Sequence, residues 1–244
     1  MSFIFELFRD MPRQGPGSDA STLRALKAVQ LPENPRVLDV GCGSGAQTLA
    51  LARNLRGSIT AVDIYQPFLD NLQQQATESE LRSTVTTACQ SMTELDFPDD
   101  FFDLIWSEGA IYIMGFEQGL TSWRRFLKTG GYLVASEMTW LKDNPPQEAK
   151  AFWNEAYPTM GSISSNLATA QNAGFRDVHH FVLPPSDWWE GFYNPLQERI
   201  AYFRRTRPDD AEAQAELDAT EEEIRLFEKY AGYYNYVFYV LRKN

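Results

Sequence analysis

The stretch VLDVGCGSG, Val37 to Gly45, limits what this chain can fold into more than any other part of it. Residues suited to a buried strand run directly into a loop where Gly41, Gly43 and Gly45 alternate with Cys42 and Ser44. Glycine admits positive φ and lets backbone approach a partner closely, and a helix that starts after such a loop offers free N–H groups. The pattern predicts the strand–loop–helix turn of a nucleotide-type site. Gly41, Gly43 and Ala46 also satisfy the looser G-x-G-x-x-G/A dinucleotide fingerprint. Asp63, 22 residues beyond Gly41, falls about where an acid binds ribose hydroxyls.

Alternating strand and helix signals follow. Arg36 to Val40 reads as a strand, Ala46 to Leu55 as a helix and Ser58 to Val62 as a second strand. Tyr65 to Thr77 is a surface helix, and Ser83 to Ala88 and Phe102 to Trp106 are further strands. Phe116 to Leu127 reads as a helix stopped by Gly130-Gly131, and Tyr132 to Glu137 as the fifth strand. Short-spaced alternation of this kind predicts an α/β fold, a Rossmann-like parallel sheet with helices on both faces. Ahead of it, Ser18 is placed to cap a helix that ends before Pro32 and Pro35. Beyond it, Ser162 to Ala173 is helical, Phe175 to Leu183 is a sixth strand and Tyr233 to Leu241 a seventh. No boundary divides the chain, so residues 1–244 are expected to form a single domain. Its additions are an N-terminal helical segment, 1–31, and helical insertions at 140–160 and 186–232.

Composition narrows the function. The formal charge of -11 argues against a nucleic-acid partner, which calls for a basic surface. The acidic run Asp209 to Glu223 reads as a solvated helix face. No apolar run approaches the roughly 18 residues of a membrane span. The start, MSFIFELFRDMP, is interrupted by Glu6, Arg9 and Asp10, and reads as an amphipathic lid or docking helix rather than a signal peptide. The only cysteines, Cys42 and Cys89, do not make a disulfide framework, which fits a cytoplasmic protein.

The glycines and Asp63 do not distinguish a nicotinamide cofactor from another adenosine-bearing one. Asp39 does. An acid at the sheet edge beside the loop would meet a pyrophosphate unfavourably, but suits the sulfonium and ammonium of S-adenosylmethionine. The loop and first helical turn also carry no Lys or Arg for a phosphate. Asp39 bonding loop amides is the structural alternative.

At these residues the chain resembles the class I S-adenosylmethionine-dependent methyltransferases, in their bacterial small-molecule branch. Val37 to Gly45 is similar to their first motif and AVDIYQPFLDNL, Ala61 to Leu72, to their second strand and helix. Met92 to Met114 and WRRFLKTGGYLVASE, Trp123 to Glu137, resemble their fourth- and fifth-strand segments, and GPGSDASTLRAL, Gly15 to Leu26, an N-terminal segment. The resemblance implies a seven-stranded, mostly parallel sheet with its last strand antiparallel, and helical insertions forming an acceptor lid. It implies that Gly41, Gly43 and Gly45 lie against the cofactor and that Asp39 faces its amino-acid end. It also implies that Asp63 binds ribose, Ile64 flanks adenine, Ser91 and Met92 contact adenine, and Ser107 borders the methionine portion. Many relatives carry Asp where this chain has Ser91.

Methyl transfer from a sulfonium is an in-line displacement that rests mainly on positioning of cofactor and acceptor, so no fixed triad is expected. Glu108 and Tyr112, just after the fourth strand, are the candidate catalytic pair. Glu108 would orient or deprotonate an acceptor, the alternative being a carboxylate that bonds loop amides; Tyr112 would contact acceptor or pack. His179 and His180 fall on opposite faces of a strand and cannot share a metal, so none is expected. Cys42 reads as a small filler. The aromatics Trp140, Phe152, Trp153, Tyr157, Trp188, Trp189, Phe192 and Tyr193 lie in the insertions, where they would hold an aromatic or cationic acceptor or pack against the sheet. Their expected exposure also points to a homodimer. Arg199, Arg204 and Arg205 would recognise an anionic group or, more often, pair with the acidic helix that follows. A non-catalytic S-adenosylmethionine-binding protein and an NAD(P)-dependent oxidoreductase stay open as alternatives.

Overall fold

The computed structural model describes residues 3–244; Met1 and Ser2, the first two residues of the amphipathic start, lie outside them. A seven-stranded sheet in the order β3-β2-β1-β4-β5-β7-β6 forms the centre. Its strands are β1 (Arg36–Val40), β2 (Gly57–Asp63), β3 (Ser83–Cys89), β4 (Phe102–Ser107), β5 (Leu127–Trp140), β6 (Phe175–Val182) and β7 (Tyr234–Lys243). β1 to β5 pair in parallel, and β7 runs antiparallel between β5 and β6. The chain order reverses at β1 and β4, where open α/β sheets form ligand crevices beyond the strand ends.

Alternation along the strands supplies two apolar layers. Val37, Leu104, Trp106 and Val134 face one layer, which helices α3 (Ala46–Asn54), α4 (Gln66–Glu78), α9 (Asn194–Thr206) and α10 (Ala211–Tyr230) complete. Leu38, Ile105, Leu133 and Ala135 face the other, completed by α5 (Phe116–Trp123) and α7 (Ile163–Asn172). Two short helices precede the sheet, α1 (Phe3–Phe8) and α2 (Asp19–Leu26), and Ser18 caps α2 by accepting from the Ser21 amide. α6 (Gln147–Ala156) and α8 (Pro185–Trp188) belong to the two insertions, and a π-helical turn, Trp189–Tyr193, joins α8 to α9.

Three expectations need correction. Gly130-Gly131 does not stop a helix. α5 already ends at Trp123, a 3-10 turn follows, and the glycines fall in an irregular stretch of β5, where the register with β4 jumps from Phe102↔Leu127 to Leu104↔Tyr132. The insertion aromatics are not an exposed lid either. Trp153, Tyr157, Trp188, Phe192 and Tyr193 are all buried in the main core, with Trp140, Phe152 and Trp189 packed against it. Their burial also removes the argument for a homodimer.

Trp188 shows why they turn inward. It stacks on Phe227 with ring centroids 3.9 Å apart, and its indole N–H donates to Asn235 Oδ1 at 2.7 Å. Ion pairs fasten the same insertions from outside. Arg225 and Lys229 of α10 meet Glu148 of α6, and Arg204 meets Asp218 and Glu221. Arg199 instead holds α1, donating to the carbonyls of Glu6 and Leu7.

Asp39 is fully buried in β1. It accepts from the Thr48 hydroxyl at 2.5 Å and from the Gln47 side chain at 3.5 Å, which fixes the start of α3 behind the glycine loop. Burial, offset in part by the Thr48 bond, pushes its pKa up to about 7.

Two predictions follow from this packing. Trp188→Ala should cost about 4 kcal/mol, as large-to-small core changes do, and lower the melting temperature by roughly 10 °C for a chain of this size; a solvent-exposed lid residue would cost almost nothing. The raised pKa of Asp39 means that the folded state binds more protons than the unfolded chain between the ordinary carboxyl range and about pH 7. Its contribution to stability is therefore complete at low pH and lost as pH rises through 7. Between pH 5 and 7 the urea-derived stability of the wild type should fall more steeply than that of Asp39→Asn, by about 1 kcal/mol per pH unit.

Candidate active site

A cavity of about 370 Å³ opens beyond the ends of β1, β2 and β4. Its floor is Gly41, Cys42 and Gly43 with Gln47. Asp63, Ile64 and Phe68 form one wall, and Ser91, Met92 and Thr93 another; Glu108, Gly109 and Ala110 lead to Tyr112 and Ile113 at the far side. The cover comes from the N-terminal segment: Ile4, Phe5 and Phe8 of α1, then Arg13 to Pro16. The surface is mostly apolar, as small-molecule sites usually are.

Local contacts explain the glycine loop. Gly41 and Gly43 both have positive φ, 72° and 54°. A Cβ at Gly41 would collide with Ala110, and one at Gly43 with the Gln14 side chain. At Gly41, glycine is therefore demanded by the protein's own chain, where Ala110 presses on the loop from just after β4, while the N-terminal segment closes over Gly43. Gln14 Oε1 also accepts from the Ser44 amide at 2.8 Å and from its hydroxyl at 2.9 Å, which straps the cover to the loop.

Asp63 ends β2 with both oxygens engaged. One accepts from the Gly43 amide and the other from the Tyr65 amide, each at 2.9 Å. Burial raises its pKa. Ile64 stands 64% exposed at the mouth. Ser91 pairs its hydroxyl with Thr93 at 2.8 Å, and the Met92 carbonyl accepts from Trp123 Nε1.

Three predicted site residues lie elsewhere. Gly45 packs against Leu72, not on the cavity. Asp39 is buried behind the loop and bonded to Thr48, so in this structure it does not face the cavity. Ser107 is fully buried at the end of β4, its hydroxyl without a partner.

Glu108 reaches the cavity, yet its carboxylate is committed. It accepts from Thr22 Oγ1 at 2.6 Å, Trp106 Nε1 at 2.8 Å and Arg13 Nη1 at 3.2 Å, while Arg13 also meets Asp19 at 2.8 Å. Burial raises its pKa, against the opposing pull of Arg13. Three donors on two oxygens make Glu108 a structural hub, with one lone pair left on Oε2. Tyr112 is 38% exposed, although burial and the charges of Glu223 and Glu137 push its hydroxyl up to about 12. His179 and His180 contact Phe181 and Tyr239, far along β6, and no cluster able to hold a metal occurs among the described residues.

Phe5 and Phe8 belong to the start expected to be an amphipathic lid or docking helix, and they cover the cavity; Arg13 and Gln14 carried no expectation. The apolar start and the Gly15-Pro16-Gly17 turn were the available signals. Arg13 pairs with an acid 95 residues away, which no local pattern shows.

Whether the donor set fits S-adenosylmethionine can be judged from the wall. Among the described residues Arg13 is its one basic side chain, and Glu108 and Asp19 occupy it. A pyrophosphate would find no free cation. A ribose would find Asp63, whose oxygens each keep a second lone pair. The residues present fit a phosphate-free adenosyl group.

A family model described as a methyltransferase domain matches residues 38–135, from β1 through most of β5. A demethylmenaquinone methyltransferase of Lactiplantibacillus plantarum is 29% identical over 182 residues, covering 64% of this chain and 76% of that protein. A phosphoethanolamine N-methyltransferase of Triticum aestivum is 24% identical over 79% of this chain, which spans only 37% of the wheat protein. Among solved structures, a methyltransferase of Geobacter sulfurreducens in complex with S-adenosyl-L-homocysteine superposes with a TM-score of 0.81 at 21% identity, over 100% of this chain and 99% of that one. Family model, strand order and glycine-loop geometry converge: residues 38–135 match a methyltransferase domain, and the fold around them is that of the class I S-adenosylmethionine-dependent methyltransferases.

Proposed function

We propose that this methyltransferase takes S-adenosylmethionine as donor in the cavity under the N-terminal cover, and methylates a small-molecule acceptor that arrives past Tyr112 and Ile113. The observation that carries the donor assignment is the wall itself: Asp63 lies ready for ribose hydroxyls while Arg13 is already paired. When bound, the donor supplies a methyl group on a positively charged sulfur. The chain's own residues supply the rest. Gly41 and Gly43 bring backbone to the cavity floor, and Asp63 orients the ribose. Phe5, Phe8 and Phe68 exclude water. The Arg13–Glu108 pair keeps the cover shut.

With Glu108 engaged, and Tyr112 raised to about 12 and so neutral at ordinary pH, acceleration rests on alignment. Tyr112 serves as a hydrogen-bond donor that orients the acceptor. The charge of -11 favours a small acceptor over a polyanion. The relatives' names, demethylmenaquinone and phosphoethanolamine, are too different to choose one for this chain. No helix among the described residues is long and apolar enough to cross a membrane. Two free thiols, Cys42 buried and Cys89 exposed, support a reducing, cytoplasmic setting.

Calorimetric titration tests the reading. S-adenosylhomocysteine should bind saturably and NADH should not, and Asp63→Ala should weaken the first at least tenfold, about 1.4 kcal/mol. Binding of NADH in its place would sink the assignment. The role given to Glu108 has its own readout. Glu108→Gln loosens Arg13, so the dissociation constant for S-adenosylhomocysteine should rise about tenfold, again about 1.4 kcal/mol; an acceptor-side base would leave it unchanged.

A further inference from the structure

Two acids that play no part in holding the cover lie behind Tyr112. Glu137, near the end of β5, is 1% exposed. One of its oxygens accepts from the Tyr157 hydroxyl at 2.6 Å; the other is buried and has no partner. Glu223 on α10 accepts from the Tyr193 hydroxyl at 2.8 Å. Aromatic contacts link both acids to residues of the cavity wall. The Tyr157 ring sits 5.9 Å from that of Tyr112, which lines the cavity. Tyr193 packs on Trp188 at 5.4 Å, and Trp188 on Tyr236 at 5.5 Å. The Tyr236 hydroxyl in turn lies 4.0 Å from where a Cβ on cavity-lining Gly109 would stand.

A buried carboxylate oxygen without a donor is costly, and native proteins seldom leave one without a reason such as a ligand or water. A metal ion does not fit, because no group of three or more suitable ligands occurs among the described residues. An anionic acceptor would face two acids. An ammonium supplies the donor that Glu137 lacks, and the tyrosine faces around it are surfaces on which a cation packs well. Burial also pushes Glu137 up to about 8, a penalty that a neighbouring cation relieves.

Resting on the methyl-transfer reading above, we infer that Glu137, Tyr157, Tyr112 and Tyr236 form the subsite for a cationic nitrogen of the acceptor, so that the acceptor is an amine; where that nitrogen is the one methylated, it first hands its proton to the Glu137 carboxylate, and its freed lone pair then forms the bond to the methyl carbon as the bond to sulfur breaks. Glu223 adds long-range negative potential at Tyr112.

The probe pair is benzylamine and benzyl alcohol, titrated into protein saturated with S-adenosylhomocysteine. Benzylamine should bind at least tenfold tighter than the alcohol. In Glu137→Gln the ratio should fall to near one, while Glu148→Gln, on the outer surface, should keep it. A ratio near one in the wild type, or one unchanged in Glu137→Gln, overturns the amine assignment. If Glu137→Gln does not fold, Tyr157→Phe carries the test: it removes a competing donor, so the ratio should hold or rise, and a fall to one overturns the assignment. Failure of S-adenosylhomocysteine to bind the wild type would strike the methyl-transfer reading itself. Its binding without an amine preference strikes only this inference.

Discussion

The Glu108 carboxylate is the junction on which the site depends. It stands at the end of β4 and takes hydrogen bonds from Arg13, Thr22 and Trp106. One acid thus joins the N-terminal cover, the second helix and a central strand. Taking a carboxylate out of water is expensive, and the cost is met only when its lone pairs are occupied and a cation stands close. That is why an Arg precedes the Gly15-Pro16-Gly17 turn, and why the cover lands on the glycine loop rather than elsewhere on the sheet edge. Asp39 does related work one strand away. Bonded to Thr48, it sets the origin of α3 and with it the loop that the cover closes upon. The acid inside the apolar first strand is a fixture of the fold before it is anything else.

What the sequence revealed, and what it hid, follows from how far each interaction reaches. The strands were legible because β-branched and apolar residues alternate within five to eight positions, and the loop because alternating glycines leave few other conformations. Asp63 was legible by its distance from Gly41, and Ser18 by its place before a helix. The Gly130-Gly131 pair misled because glycines that end a helix and glycines in an irregular strand look alike along the chain. The insertion aromatics misled because composition does not tell inward from outward; only the rings they stack on, such as Phe227 beneath Trp188, decide that. The hub at Glu108 was hidden altogether. Its partners Arg13 and Thr22 lie 95 and 86 residues away, and a sequence offers no signal for a pairing created by tertiary contact.

The buried acids around the site share one property. Asp39, Asp63, Glu108 and Glu137 are all raised by burial, and the cation nearest them on the wall, Arg13, is spent on Glu108 and Asp19. The neighbourhood of the cavity is therefore short of positive charge and carries latent negative charge. Such a site gains most from contents that are cationic, because each cation lowers the cost of ionising the acids it faces. A sulfonium donor and an ammonium acceptor would repel each other in an apolar pocket. Here Asp63 and Glu108 stand on the wall and Glu137 lies behind Tyr112, and an ammonium must hand its proton to such an acid before its nitrogen has the lone pair that takes the methyl group. The transfer then proceeds from a positively charged donor to a neutral spent cofactor, and that product interacts less with the acids than the donor did. The same electrostatics that draw the donor in would favour release of the spent cofactor once the methyl group has moved.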